Sequence, residues 1–167
     1  MAKLVDMVKR LDKRGEELRS GESFVAGCAI GALGVMPGVM AAGSAGSPTA
    51  VGGGIGTDAA ESYRAAVVEA LGLSDPTPAA FGFDGGRPII VGLTGERLLL
   101  FAGSHLARPK ALLGAWDRAE CDVRVARAED GSLLAPALGI GLGDDTWLIG
   151  DAPNRDYAAA LAAAWED

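Results

Sequence analysis

From Pro88 onward the apolar residues stop recurring at helical spacing and arrive in short runs separated by turn signals, which restricts the second half of the chain to a sheet. Pro88 to Leu93 and Arg97 to Phe101 are joined by Thr94-Gly95-Glu96, the signature of a hairpin. Gly103 to Pro109 reads as a loop and Lys110 to Trp116 as a third strand. Cys121, Val123 and Val125 alternate with Asp122 and Arg124, so one face of the next strand turns inward and Cys121 reads as a buried reduced thiol. Beyond the Asp130-Gly131 turn, Leu134, Leu138, Ile140 and Leu142 share a face. Gly143-Asp144-Asp145 turns again and Thr146 to Ile149 returns. Asp151 and Pro153 signal a helix start, and Tyr157, Leu161, Ala164 and Trp165 form its apolar stripe. Six strands closed by an amphipathic helix predict an α+β module, a curved antiparallel sheet whose open end the helix plugs.

The first half is less regular. Residues 2 to 19 predict an amphipathic helix with Leu4, Val8, Leu11 and Leu18 on one stripe. Such a helix packs on its own domain or a second copy, or lies on a membrane surface with Lys9, Arg10, Lys13 and Arg14 near lipid phosphates. From Ser23 to Thr57 there is no charged residue, and glycine and alanine dominate. Phe24 to Ala42 is apolar enough and long enough to span a bilayer, which takes about 20 residues. Gly27, Gly31, Gly34 and Gly38 recur every three or four residues, a small-residue ridge suited to self-association or membrane contact. Pro37 and the density of glycine oppose a spanning helix, and Ala41 to Gly56 has a linker's composition. The alternative is a strand over Glu22 to Ala29 followed by a glycine-rich excursion. A secretory signal fits poorly, because an acid-containing leader precedes the apolar run.

Asp58 opens a second helix with Glu61 as its capping partner and Gly72 past its end; Tyr63, Val67, Ala70 and Leu71 form the apolar face. Ser74 to Gly86 is a connector. The expected organisation is an N-terminal helix over residues 1–20 and one domain over 21–167, which includes an uncharged insertion at 30–57 and a helix at 58–71.

Charge narrows the function classes. A net charge of −7 and a pI near 4.7 oppose nucleic acid, whose binding rests on clustered Lys and Arg. Only residues 1 to 19, with six basic and four acidic groups, favour an anionic surface. Cys28 and Cys121 lie far apart and His105 is the sole histidine, so the usual zinc spacings are absent.

Leu93 to Phe101, LTGERLLLF, followed by the meander and the closing helix, resembles bacterial pleckstrin-homology-like (PH-like) and GRAM-like domains. Leu18-Arg-Ser-Gly21-Glu22, leading into Phe24 and Val25, is similar to the L-x-x-G-E entry of their first strand. The resemblance implies a small antiparallel split barrel with a C-terminal helix, used as a non-enzymatic binding, localisation or scaffolding platform. It also makes the uncharged segment an insertion within the domain, and residues 87 to 167 incomplete alone.

Within that frame His105, Arg108 and Lys110 gather on one loop of an otherwise acidic domain and are the candidate contacts for a phosphate or headgroup. Gly54-x-Gly56-x-x-Ala59 at a helix start has the local shape of a phosphate loop, but no strand precedes it and Asp58 would oppose a phosphate. Asp144, Asp145 and Asp151 read as turn chemistry, and no metal or cofactor is expected. The leading expectation is a cytoplasmic binding module, peripheral at a membrane or self-associating, with a protein partner or a second copy and no nucleic acid. The alternatives are a small-ligand enzyme using the Gly52 to Asp58 loop and a structural homo-oligomer.

Overall fold

The structure, a computed structural model, describes residues 2–33, 57–83, 86–127, 133 and 135–167. The described elements are α1 (Ala2–Asp12), β1 (Phe24–Ile30), α2 (Thr57–Ala70), β2 (Thr77–Pro78), β3 (Ile89–Thr94), β4 (Arg97–Gly103), β5 (Pro109–Asp117), β6 (Asp122–Ala126), β7 (Ala137–Gly141), β8 (Thr146–Asp151) and α3 (Arg155–Glu166). They form an α+β fold of two four-stranded sheets. The first, in order β1-β3-β4-β5, is antiparallel throughout; the second runs β2-β8-β7-β6, with β2 parallel to β8.

Among the described residues the sheets do not close into a barrel. One antiparallel bridge joins them, in which Gly31 and Asp151 exchange backbone hydrogen bonds of 2.9 and 2.8 Å. Between the sheets lies the main core, which includes Ile30, Ile90, Leu98, Leu100, Phe101, Leu138 and Ile140. Helix α3 covers it, packing on β1, β3, β6 and α1 through Tyr157, Ala158 and Leu161.

Helix α1 is shorter than its periodicity suggests and ends at Asp12, followed by a 3-10 turn at Gly15–Glu17. Its buried side chains are Met7 and Leu11, and the place they occupy is prepared by two glycines. Gly27 and Gly92 face each other across β1 and β3. A Cβ at Gly27 would clash with Leu11 and lie 3.0 Å from Met7 Cγ; one at Gly92 would lie 2.7 Å from Phe24 and 3.1 Å from Leu11. The paired glycines leave a hollow in the sheet, and Leu11 fills it. Met7 and Leu11 are therefore spent on their own domain, as expected of a helix that packs there.

Phe24 to Ile30 is a strand, so the first part of the candidate span Phe24 to Ala42 is not helical. Strand pairing wins because β1 meets the complementary apolar edge of β3 in register from Ala26–Leu93 to Ile30–Ile89. Among the described residues no helix is long and apolar enough to cross a membrane. The rest of that stretch and the candidate loop Gly52 to Gly56 lie outside the described residues.

A buried ion pair fastens β1 to the β3–β4 hairpin. Arg97 donates from Nη2 to Glu22 Oε1 at 2.7 Å and from Nε to both carboxylate oxygens at 3.1 and 3.2 Å. The Thr94 hydroxyl and the Arg19 backbone N–H also donate to the carboxylate, at 2.9 and 2.7 Å, and Arg97 Nη2 reaches Glu17 O at 2.9 Å. Both side chains are almost wholly buried. The Leu18 to Glu22 and Leu93 to Leu98 motifs are thus two halves of one lock. The Arg97 hydrogen bonds hold the Glu22 carboxyl at about 2, against the opposing effect of burial.

Two further arginines fasten the helices. Neither α2 nor α3 has a basic residue in its last turn. Arg124 donates to Leu71 O and Gly72 O at the end of α2, at 3.2 and 3.0 Å. Arg118 donates to Ala164 O and Trp165 O at the end of α3, at 3.0 and 2.7 Å, and stacks 5.0 Å from the Trp165 ring. Each places a cation at a helix C-terminus, where unpaired carbonyls and the dipole favour it. Gly72, with φ +73°, completes a Schellman ending on α2: Leu73 N bonds Val68 O and Gly72 N bonds Glu69 O.

The remaining differences from the sequence reading have local causes. Asp151 ends β8 instead of opening α3; Asn154 is the N-cap, its side chain accepting from Tyr157 N at 3.1 Å. Ala70 is exposed, and Ala66 shares the packed face of α2 with Val67 and Leu71. Cys121 is half-buried and precedes β6, whereas Cys28 is the fully buried thiol. The connector holds β2, a two-residue strand too short to read from a period.

Replacing Leu11 with alanine is expected to empty the glycine hollow and cost about 2–5 kcal/mol in urea denaturation. Arg97→Met, which strands a buried carboxylate, should cost about 3–5 kcal/mol. Because Glu22 titrates lower when folded than when unfolded, its contribution is complete above the ordinary carboxyl value and disappears as pH falls toward about 2. Stability measured from pH 5 down to pH 2 should therefore fall more steeply in the wild type than in Glu22→Gln.

Candidate functional site

Of the three cations singled out from the sequence, His105 and Arg108 lie on the β4–β5 loop and Lys110 is the second residue of β5, and the fold divides them between two clefts. Arg108 and Lys110 line a cleft of about 310 Å³ together with Arg10, Lys13 and Arg14 of the N-terminal segment. His105 lies in a second cleft of about 360 Å³, with Arg87 and again Lys110. Lys110 is common to both.

The first cleft is built by the end of α1 and the turn after it, which grip the loop. Arg10 Nη1 donates to Leu106 O and Ala107 O at 3.1 and 3.3 Å, and Arg14 Nε donates to Pro109 O at 3.3 Å. The loop is shaped from within by Ser104, whose Oγ accepts from Leu106 N and Arg108 N, both at 3.3 Å. Ala107, at φ +57°, lets the chain reverse there. The turn leaves Leu106 at the apex, 67% exposed, beside a cluster of five cations. Of the five, only Arg14 has a carboxylate within 4.0 Å among the described residues, Glu16 at 3.4 Å.

Sequence reasoning placed Arg10, Lys13 and Arg14 on a cationic helix face and Arg108 and Lys110 on a loop, but did not join them. The available signal was spacing: Arg10 and Arg14 lie three residues after Met7 and Leu11, so burying those two turns the arginines toward the sheet's end.

The other candidates are spoken for within the chain. Gly27 is filled by Leu11 and Met7, and Gly31 pairs with Asp151, so neither presents a free ridge; Gly34 and Gly38 lie outside the described residues. Asp144 accepts from Thr146 N and Oγ1 at 3.2 and 2.5 Å, which lowers its carboxyl pKa within an ordinary turn. Asp151 accepts from the Tyr63 hydroxyl at 3.1 Å.

Burial pushes Cys28 up to about 12, and burial with the nearby Glu120 and Asp117 pushes Cys121 up to about 11. Neither is a ready thiolate nucleophile at neutral pH. Among the described residues no three metal-ligating side chains gather.

No family model, curated protein or solved structure matches the chain.

The five cations differ in their structural role. Arg10→Ala and Arg14→Ala, which remove bonds to loop carbonyls, should each cost about 1 kcal/mol or somewhat more. Lys13→Glu and Arg108→Glu should stay within about 0.5 kcal/mol of the wild type in the same urea titration.

Proposed function

We propose that the protein is a non-enzymatic binding and localisation module of PH-like type that docks on anionic membrane surfaces through the basic end of its first sheet. The observation that carries this reading is the convergence of Arg10, Lys13, Arg14, Arg108 and Lys110 on one cleft in a chain of net charge −7. Random placement of so few cations on an acidic protein would scatter them. Here they flank Leu106, an exposed leucine at a hairpin apex, which can enter the interfacial layer while the cations meet phosphates.

Several features support the PH-like part. β1 and β3–β5 form a four-stranded antiparallel sheet, β6–β8 run consecutively in the second sheet, and α3 follows at the C-terminus. The motifs that carry the resemblance meet in the Glu22–Arg97 lock. The inserted stretch between β1 and β3 leaves that sheet continuous.

The test is co-sedimentation with phosphatidylcholine vesicles and with vesicles containing phosphatidylglycerol. Binding is expected only to the anionic vesicles and should weaken at high salt. At about 1 kcal/mol per cation near the surface, neutralising Lys13 and Arg108 should lower partitioning roughly thirty-fold. Leu106→Ser should weaken it further without altering its dependence on vesicle charge. Wild-type protein that stays in the supernatant with anionic vesicles at low salt would sink the proposal.

A further inference from the structure

We infer that the second cleft, on the opposite flank of the β4–β5 loop, is a binding site for a small anionic amphiphile: a carboxylate with an unbranched apolar chain. This goes beyond the docking reading and does not depend on it. The cleft has two chemically distinct parts. Its apolar part is made by Phe81, Pro88, Ile89 and Leu113; Pro88 and Ile89 are buried, whereas Leu113 is 38% exposed. Leu113 lies on β5, the edge strand of the first sheet, beside the concavity.

The polar part lies at the mouth. Arg87 and Lys110 both line it and both are exposed, with His105 beside them. No carboxylate of the chain lies within 4.0 Å of Arg87, His105 or Lys110 among the described residues. Ser104, also in the lining, accepts two backbone N–H bonds at its Oγ, which leaves the hydroxyl proton to donate outward. Cations and a hydroxyl donor at one end, with apolar walls behind them, select a ligand of matching polarity: an anionic head on an apolar chain.

The size agrees. About 360 Å³ falls in the lower part of the range for small-ligand sites, which suits a medium-length chain and not a folded partner. The walls are also fixed. Gly103, in the lining, donates from its N to Pro88 O at 2.9 Å, and a Cβ there would lie 2.7 Å from the same oxygen, so the strap carrying Pro88 is pressed onto β4. Gly82, by contrast, lines the cleft where a Cβ would meet nothing within 4 Å. A side chain at Gly82 would thus meet no atom of the protein.

Decanoate is the probe, with decanol and acetate as comparisons, titrated calorimetrically and followed by methyl chemical shifts of Ile89 and Leu113. Saturable decanoate binding at low millimolar concentration or tighter is expected, with at least tenfold weaker binding of decanol and none of acetate. Gly82→Leu should fill the cleft and weaken decanoate at least tenfold. The double substitution Arg87→Ala/Lys110→Ala should do the same by removing the charge, and its side chains are exposed, so folding is preserved. Lys13→Glu/Arg108→Glu, whose residues line only the first cleft, should bind decanoate normally, which separates this site from vesicle docking. Equal binding of decanol and decanoate, an unchanged affinity in Gly82→Leu, or no saturable binding of decanoate would each overturn the inference.

Discussion

The fold depends on the Glu22–Arg97 pair more than on any other polar contact, because it ties together segments that the apolar core alone would leave in competition. β1 is separated from its partner β3 by some sixty residues, and closing a loop of that length carries an entropic cost. Apolar registry between Phe24–Ile30 and Ile89–Thr94 offsets that cost but is weakly directional: a slip along the strand still buries valine and isoleucine. A charged pair that is correct in one register penalises such slips, since either displaced group would be buried without its partner. Thr94 and the backbone of Arg19 and Glu17 complete the hydrogen bonding, and no buried side-chain polar atom among the described residues lacks a partner.

Helix α1 shows how packing on one face creates chemistry on another. Leu11 enters the hollow over Gly27 and Gly92, which fixes both the height and the rotation of the helix. Once that rotation is set, Arg10 and Arg14 reach the carbonyls of Leu106, Ala107 and Pro109. The loop is thereby held against the helix, and Lys13 joins Arg108 and Lys110 in one field. Glycine in the sheet, leucine on the helix and cations at the loop form a single chain of cause.

Much of this architecture was legible because it is written in short-range patterns. Alternation and turn residues located β3, β4, β5 and β8 within two residues, and the Tyr157, Leu161, Trp165 stripe located α3. The L-x-x-G-E and LTGER segments could be read as motifs, but their mutual salt bridge could not, because pairing across about 75 residues leaves no periodic trace. The same limit hid the basic cleft, which is assembled from two segments about a hundred residues apart. The glycine spacing left no such trace either: Gly27 and Gly31 recur at a helical interval, yet strand pairing with β3 decides the local structure, and Gly27 is covered by Leu11 and Met7 while Gly31 bridges to Asp151.

The division of labour among the cations sharpens what the basic end can do. Arg97, Arg118 and Arg124 are consumed internally, Arg97 on Glu22, Arg118 on a helix end and Arg124 on a helix end and Asp122, where a planar fork with several donors is better suited than a lysine ammonium. Arg10 and Arg14 are partly consumed on loop carbonyls, although a guanidinium so held keeps further N–H groups for a ligand. The side chains of Lys13, Arg108 and Lys110, by contrast, make no hydrogen bond or ion pair within the described residues and leave their charge at this end of the sheet. In the docking proposed above, opposite charge elsewhere on the surface would turn the acidic remainder away from an anionic layer while this end approaches.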